Sequence, residues 1–176
     1  MTMPTTTDGP EIDVAAPCPS WLEALPDAEA RGRAAALAAF AAARAAGRGA
    51  GLPAEASLVL ADDALVQGLN RDYRGMDKPT NVLTFANLDG DGPAPDGAPV
   101  LLGDIVLAYE TTAAEAAAQG KPLADHFSHL VVHGMLHLLG FDHTSAAQAE
   151  EMEGLEIRVL KGLGVADPYA EGAEGQ

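Results

Sequence analysis

Residues 129–143 read HLVVHGMLHLLGFDH. His133 and His137 stand four apart, so on a helix their imidazoles share one face, one turn from each other, close enough to hold a single ion. Gly140 follows three residues on, the residue type a helix end needs when its backbone enters the left-handed region. The sharp turn it permits carries His143 back toward the same ion. Three neutral nitrogen donors leave the fourth tetrahedral position for water, whereas a closed structural site recruits a fourth protein ligand. Imidazole softness favours zinc. The pattern therefore points to one catalytic zinc ion on His133, His137 and His143, used for hydrolysis.

A lone histidine on an apolar helix is more often a core residue with one hydrogen bond, and an i, i+4 pair is only weak evidence for an ion. Here four of the five histidines fall between residues 129 and 143, and three match a ligand geometry. His129 extends the stripe to i, i+4, i+8 and is an alternative third ligand. It stands about 11 Å from His137 along the helix, two turns away, so a supporting role beside the ligands is expected. His126 reads as a surface residue near the helix start. Asp142 either orients a ligand imidazole or caps the turn.

Working outward, the histidine helix is expected over Pro122–Leu139, between a helix over Tyr109–Gln119 closed by Gly120 and one over Ala146–Leu163. Ser145 and Gln148 open the last in capping-box spacing. Upstream, Glu11–Val14, Ser57–Ala61, Thr80–Ala86 and Val100–Ala108 read as strands. Asp27 is placed to cap a helix over Ala28–Ala46, stopped by Gly47 and Gly49, and Asp62 to cap another running to about Arg71. Residues 87–99 form a turn-rich insert whose Asp89 and Asp91 resemble a calcium loop only superficially, because the later ligand positions are missing. Early alternation of strands and helices with helices massed late indicates α+β: a mixed sheet of about four strands with about five helices. Residues 11–165 are expected as one domain, with residues 1–10 and 166–176 as disordered tails.

Ten basic against twenty-six acidic residues give a net charge of −16, which argues against free binding to nucleic acid. Any RNA must be held locally. The only cysteine, Cys18, excludes a disulfide framework and a thiolate metal cluster. The first 20 residues lack the features of a signal peptide, and no apolar run approaches the ~20 residues that span a bilayer. A cytoplasmic protein with no membrane association is expected.

The spacing H-x-x-x-H-x-x-G-x-x-H is that of the metzincin proteases, except that Gly134 stands where they carry the glutamate that takes a proton from the metal-bound water. Losing that base typically costs a factor of about 10²–10⁴, so peptide hydrolysis is the weaker reading. The segment instead resembles the YbeY endoribonucleases, or rRNA maturation factors. His133-Gly134-x-Leu136-His137-Leu138-x-Gly140-x-Asp142-His143 matches that family's signature. A second block agrees, Leu69-Asn70-x-x-Tyr73-Arg74-Gly75-x-Asp77-Lys78-Pro79-Thr80-Asn81-Val82-Leu83-Thr84-Phe85, and a third is Leu102-Gly103-Asp104-Ile105. The departures are Met76 where the family often has lysine, the insert 87–99 and a long N-terminal extension.

The resemblance, over roughly residues 57–163, implies zinc on the three histidines. It also implies a single-strand-preferring endoribonuclease active in ribosomal RNA processing, notably at the 3′ end of the small-subunit RNA, and in ribosome quality control. The partners it implies are single-stranded ribosomal RNA, and the small ribosomal subunit or its proteins with an assembly GTPase. In the second block Arg71, Arg74 and Lys78 stand against Asp72 and Asp77, a local net charge of only +1 that suits one phosphate group. Arg74 is the expected stabiliser of transition-state charge, with Arg71 and Lys78 as further substrate contacts. Two rivals are a metzincin-like metalloprotease and a non-catalytic assembly factor that uses zinc only to hold its last helices together.

Overall fold

Four strands form one mixed sheet in the order β1-β2-β4-β3, with β1 (Glu11–Ala15), β2 (Ala54–Ala61) and β4 (Val100–Ala108) parallel and β3 (Val82–Ala86) antiparallel to β4 at the edge. The computed structural model describes residues 9–48, 53–86 and 100–169. The insert 87–99, with Asp89 and Asp91, lies outside the described residues, as do Gly49 and most of both expected tails. Six helices complete the described residues: α1 (Pro19–Ala24), α2 (Ala28–Ala45), α3 (Asp63–Arg74), α4 (Tyr109–Gln119), α5 (Leu123–Leu138) and α6 (Ala146–Gly162).

Successive side chains on a strand point to opposite faces, and this sheet separates two cores accordingly. Leu58 and Leu60 of β2 and Ile105 and Leu107 of β4 join the main core, under α2, α5 and α6. Their neighbours Ala61, Val106 and Ala108 form a smaller core on the other face with Val66 of α3 and Leu83 of β3. Glu11, Asp13, Glu55 and Asp104 line an open groove with residues of β1, β2, β3 and β4.

Helix α5 carries the site and is the most deeply set, with Phe127, Val131, Val132, Met135, Leu136 and Leu138 all fully buried. Each large side chain contributes roughly 1.5–3 kcal/mol by leaving water, which fixes the helix in position and rotation. Helix α2 lies against it on a face of small residues, Ala28, Ala35, Ala36, Ala39 and Ala43, with Phe40 its one large buried side chain. Asp27 makes no side-chain cap. Its carboxylate turns outward to Arg31, 3.0 Å away, leaving the cap position to the backbone. Asp62 does cap α3, accepting from the Leu65 amide at 2.9 Å, and Ser145 caps α6, accepting from the Gln148 amide at 3.1 Å. The Gln148 side chain accepts from the Thr144 hydroxyl, so the capping box is closed from one side only.

Helix α1 is an element the sequence reading lacks. Its Trp21 is fully buried, meets Tyr109 edge to face and Phe127 at a tilt, and donates from Nε1 to the Ala61 carbonyl at 2.9 Å. No described helix is long and apolar enough to cross a membrane.

Candidate metal centre

The end of α5 shows why the sequence turns where it does. Gly140 sits at φ 98°, and the Gly140 and Phe141 amides donate to the His137 and Leu136 carbonyls, both at 3.0 Å, closing the helix with a left-handed turn. Phe141 is then buried, which pins the returning chain. Arg48 clamps the same turn from α2's end: its guanidinium lies 4.2 Å from the Phe141 ring centre and donates to the Gly140 carbonyl at 3.0 Å.

The result brings His143 to the face of α5 that carries His133 and His137. One ring nitrogen from each of the three lies within 4.8 Å of the other two. The ring centres are 4.6 Å apart for His133 and His137, 5.1 Å for His137 and His143 and 5.7 Å for His133 and His143. Burial, then the nearby His133 and His143, pushes the His137 pKa below its ordinary value. His137 is therefore a neutral nitrogen donor at neutral pH, the form a metal requires.

Beneath the histidines sits a carboxylate that the sequence reading missed. Glu156 of α6 is fully buried, with Oε2 2.5 Å from His133 Nδ1 and Oε1 3.0 Å from His129 Nε2. The Tyr169 hydroxyl donates to the same carboxylate. Burial pushes the Glu156 carboxyl up, but hydrogen bonds from His129, His133 and Tyr169 and the charge of His133 outweigh it and hold the pKa at about 2. The ionised carboxylate accepts Nδ1–H of His133 and leaves Nε2 as the lone-pair donor. The donor set fits a zinc ion: three imidazoles, one with its tautomer fixed from behind. The signal for Glu156 is present in the sequence, since it shares a helix face with Met152, Leu155, Val159 and Leu160, an acidic residue in a buried stripe.

His129 lies beside the triad, bonded to Glu156, and with His133 and Glu156 forms a second group whose ligand atoms lie within 4.8 Å. His126 is buried at 4% exposure, contrary to the surface position expected for it. Its Nε2 meets Glu115 of α4 at 2.8 Å, and Asn81 donates to the same carboxylate at 2.9 Å, tying α4 and α5 to the start of β3. Burial lowers its pKa, so the ring is neutral there. Asp142 caps the turn: its Oδ1 accepts from the His143 amide at 2.7 Å.

The pocket beside the triad is lined by two of its histidines, His133 and His137, with Arg74, Thr84 and Asp142 among others. Arg74 reaches it from the last turn of α3. Its Nη2 donates to the Thr84 carbonyl of edge strand β3 at 2.5 Å, and its guanidinium lies 5.3 Å from the Phe85 ring centre. Two further residues of that block do not line the pocket: Arg71 pairs with Asp72 at 3.0 Å, and Lys78 is exposed beyond the helix. Buried Asn70 holds the loop that follows, donating from Nδ2 to the Lys78 carbonyl at 2.9 Å.

Gly134 has a steric reason. It packs on the sheet, and a Cβ there would stand 2.8 Å from Ile105 Cγ2 and 3.3 Å from Thr84 Cγ2, so a glutamate fits only if Ile105 or the helix shifts. Peptide hydrolysis through a glutamate base is thereby disfavoured by packing as well as by sequence.

The chain matches the family described as Endoribonuclease YbeY over residues 29–164. It is 62% identical over 166 residues to the Endoribonuclease YbeY of Paramagnetospirillum magneticum, covering 92% of this chain and 96% of that protein. Identity to the protein of the same name from Rhodopseudomonas palustris is 51% over 144 residues, 82% of this chain and 86% of the other. A third, from a Bradyrhizobium strain, is 49% identical over 170 residues, covering 96% and 94% respectively.

Proposed function

The chain belongs to the YbeY endoribonuclease family, and from that premise we propose that it is a zinc-dependent endoribonuclease cutting single-stranded ribosomal RNA. Its work is ribosomal RNA processing, including maturation of the 3′ end of the small-subunit RNA, and ribosome quality control. Three imidazole nitrogens within 4.8 Å of one another, those of His133 and His137 lining an open pocket together with Arg74, carry this reading.

His133, His137 and His143 would hold the ion. Zinc in a seat of three histidines would supply positive charge and would lower the pKa of a bound water toward neutrality. Glu156 keeps the ligand nitrogen of His133 turned toward the pocket. Arg74, already fixed by the Thr84 carbonyl and the Phe85 ring in the wall of the pocket, has N–H groups left to donate to the phosphoryl oxygens, where negative charge builds in the transition state, with little reorganisation left to occur. Neither step requires the glutamate that Gly134 replaces.

The acidity of the chain supports delivery by a partner, the small subunit or its proteins together with an assembly GTPase, because isolated RNA gains little from a surface of net charge −16. The cytoplasm is the matching compartment. Metal analysis of purified protein, alongside cleavage of single-stranded RNA and of unfolded protein with and without chelator, tests the proposal. One zinc per chain with chelator-sensitive RNA cleavage is expected. Cleavage of unfolded protein, or a zinc-loaded chain inert toward RNA, would overturn it.

A further inference from the structure

Tyr73 stands 71% exposed in the last turn of α3, one residue before Arg74. So exposed a ring gains little from burial, and its position calls for another account. Its one aromatic neighbour among the described residues is Phe85, met edge to face with ring centres 5.8 Å apart and planes at 72°. Phe85 also carries the Arg74 guanidinium, and Arg74 grips Thr84 in the wall of the histidine pocket. A continuous path therefore runs from the histidines through Thr84 and Arg74 to Phe85 and Tyr73, cationic at its inner end and aromatic at its outer one.

We propose that Tyr73 is a stacking platform for the RNA base next to the phosphate that Arg74 meets, and so a residue that selects single strands; this rests on the endoribonuclease reading. Unpaired bases can splay out and stack on aromatic rings, whereas the faces of paired bases are already covered. A tyrosine loses few rotamers on binding and needs no particular base. Charge sets which part of the strand meets the ring. Phe85 also lines the groove that carries Glu11, Asp13, Glu55 and Asp104; these carboxylates repel phosphates, so the RNA backbone keeps to Arg74 and it is a base that reaches the Tyr73 ring.

The test uses the zinc-loaded full chain, a single-stranded oligoribonucleotide that it cleaves, and the same oligonucleotide carrying an abasic residue on either side of the cut. Tyr73→Ala should raise KM about 5- to 100-fold, the scale of one lost base stack, with kcat, zinc content and melting temperature little changed. Tyr73→Trp should recover most of the loss. One of the two abasic substrates should cost the unmutated protein a similar factor and cost Tyr73→Ala nothing further. Unchanged KM in Tyr73→Ala, a fall in melting temperature in its place, or abasic and mutational losses that simply add would overturn the stacking role while leaving the nuclease standing. Failure of the unmutated, zinc-loaded chain to cut any RNA would remove both.

Discussion

Strand β3 divides two hollows of opposite chemistry. On one side Val82 and Thr84 face the histidine pocket, where the lining offers two imidazoles, one arginine and the turn-capping Asp142. On the other, Phe85 borders a groove carrying Glu11, Asp13, Glu55 and Asp104. The difference teaches that a chain of net charge −16 can serve a polyanion only if attraction is confined to a point. On the proposed reading that point is the three-histidine seat and the Arg74 guanidinium beside it, and shape must supply what long-range charge does not.

The largest expected effect comes from emptying the metal seat. His133→Ala, His137→Ala and His143→Ala should each strip most of the zinc and lower RNA cleavage to the level seen with chelator, read by metal analysis and a cleavage assay. His129→Ala should keep most of the metal, because its role runs through Glu156. If His129→Ala empties the site and His143→Ala does not, the third ligand is assigned to the wrong residue.

Next in size is Arg74, the other half of the attractive side. Arg74→Ala should lose cleavage by a factor on the order of 10²–10³ with full zinc occupancy and an unchanged melting temperature. Arg74→Lys should recover part, since an ammonium restores charge without the planar fork. A melting-temperature drop with normal specific activity would instead assign Arg74 to packing against Phe85 and Thr84.

Glu156→Gln should weaken zinc affinity by about 10–100-fold, the usual scale for a carboxylate behind a ligand histidine, measured by competition with a chelator. The same carboxylate predicts an acid limb in the stability of metal-free protein. Its folded pKa of about 2 lies below the ordinary carboxylate range, so the unfolded chain binds the proton first as pH falls. The stabilisation is complete above that range and is lost as pH drops through it toward about 2. In Glu156→Gln this part of the acid limb should be missing from denaturation curves taken across that window.

The sequence reading recovers the metal side of this contrast better than the acidic side, for physical reasons. The i, i+4 pair and Gly140 are local features whose geometry follows from helix periodicity, and the helix over Tyr109–Gln119 and the strand over Val100–Ala108 match the observed elements. Features that depend on distant partners were hidden. Glu156 stands out as an acidic residue in the apolar stripe of α6, but it lies 23 residues from His133, and its two histidine partners follow only from the packing of α6 under α5. His126 looks like a surface residue until Glu115 and Asn81 close over it. Helix α1, six residues with Pro19 in its first turn, is too short to show a period. Residues 54–56, Ala-Glu-Ala, carry little strand propensity, yet they extend β2 because β4 pairs with all three and β1 with Glu55 and Ala56. The acidic groove is the sum of such pairings: Glu11 is registered against Glu55, and Asp13 and Asp104 both against Ser57.

The smallest expected effect concerns that groove. Glu11→Gln with Glu55→Gln removes two like charges in facing positions and should raise RNA affinity only a few-fold, chiefly at low salt. For the unmutated chain the slope of log affinity against log salt should be shallow, about −1, as expected when one or two phosphates are engaged. A steep slope would reveal a basic track elsewhere and dissolve the contrast between the two hollows.

The central claim is most directly tested by locating the ion. A crystal of the zinc-loaded chain, with diffraction recorded on both sides of the zinc absorption edge, should give one anomalous peak per chain. The peak should lie about 2.0–2.1 Å from one ring nitrogen each of His133, His137 and His143, with Glu156 on the far side of His133. A peak among His129, His133 and Glu156, or none in the Arg74 pocket, would contradict the account.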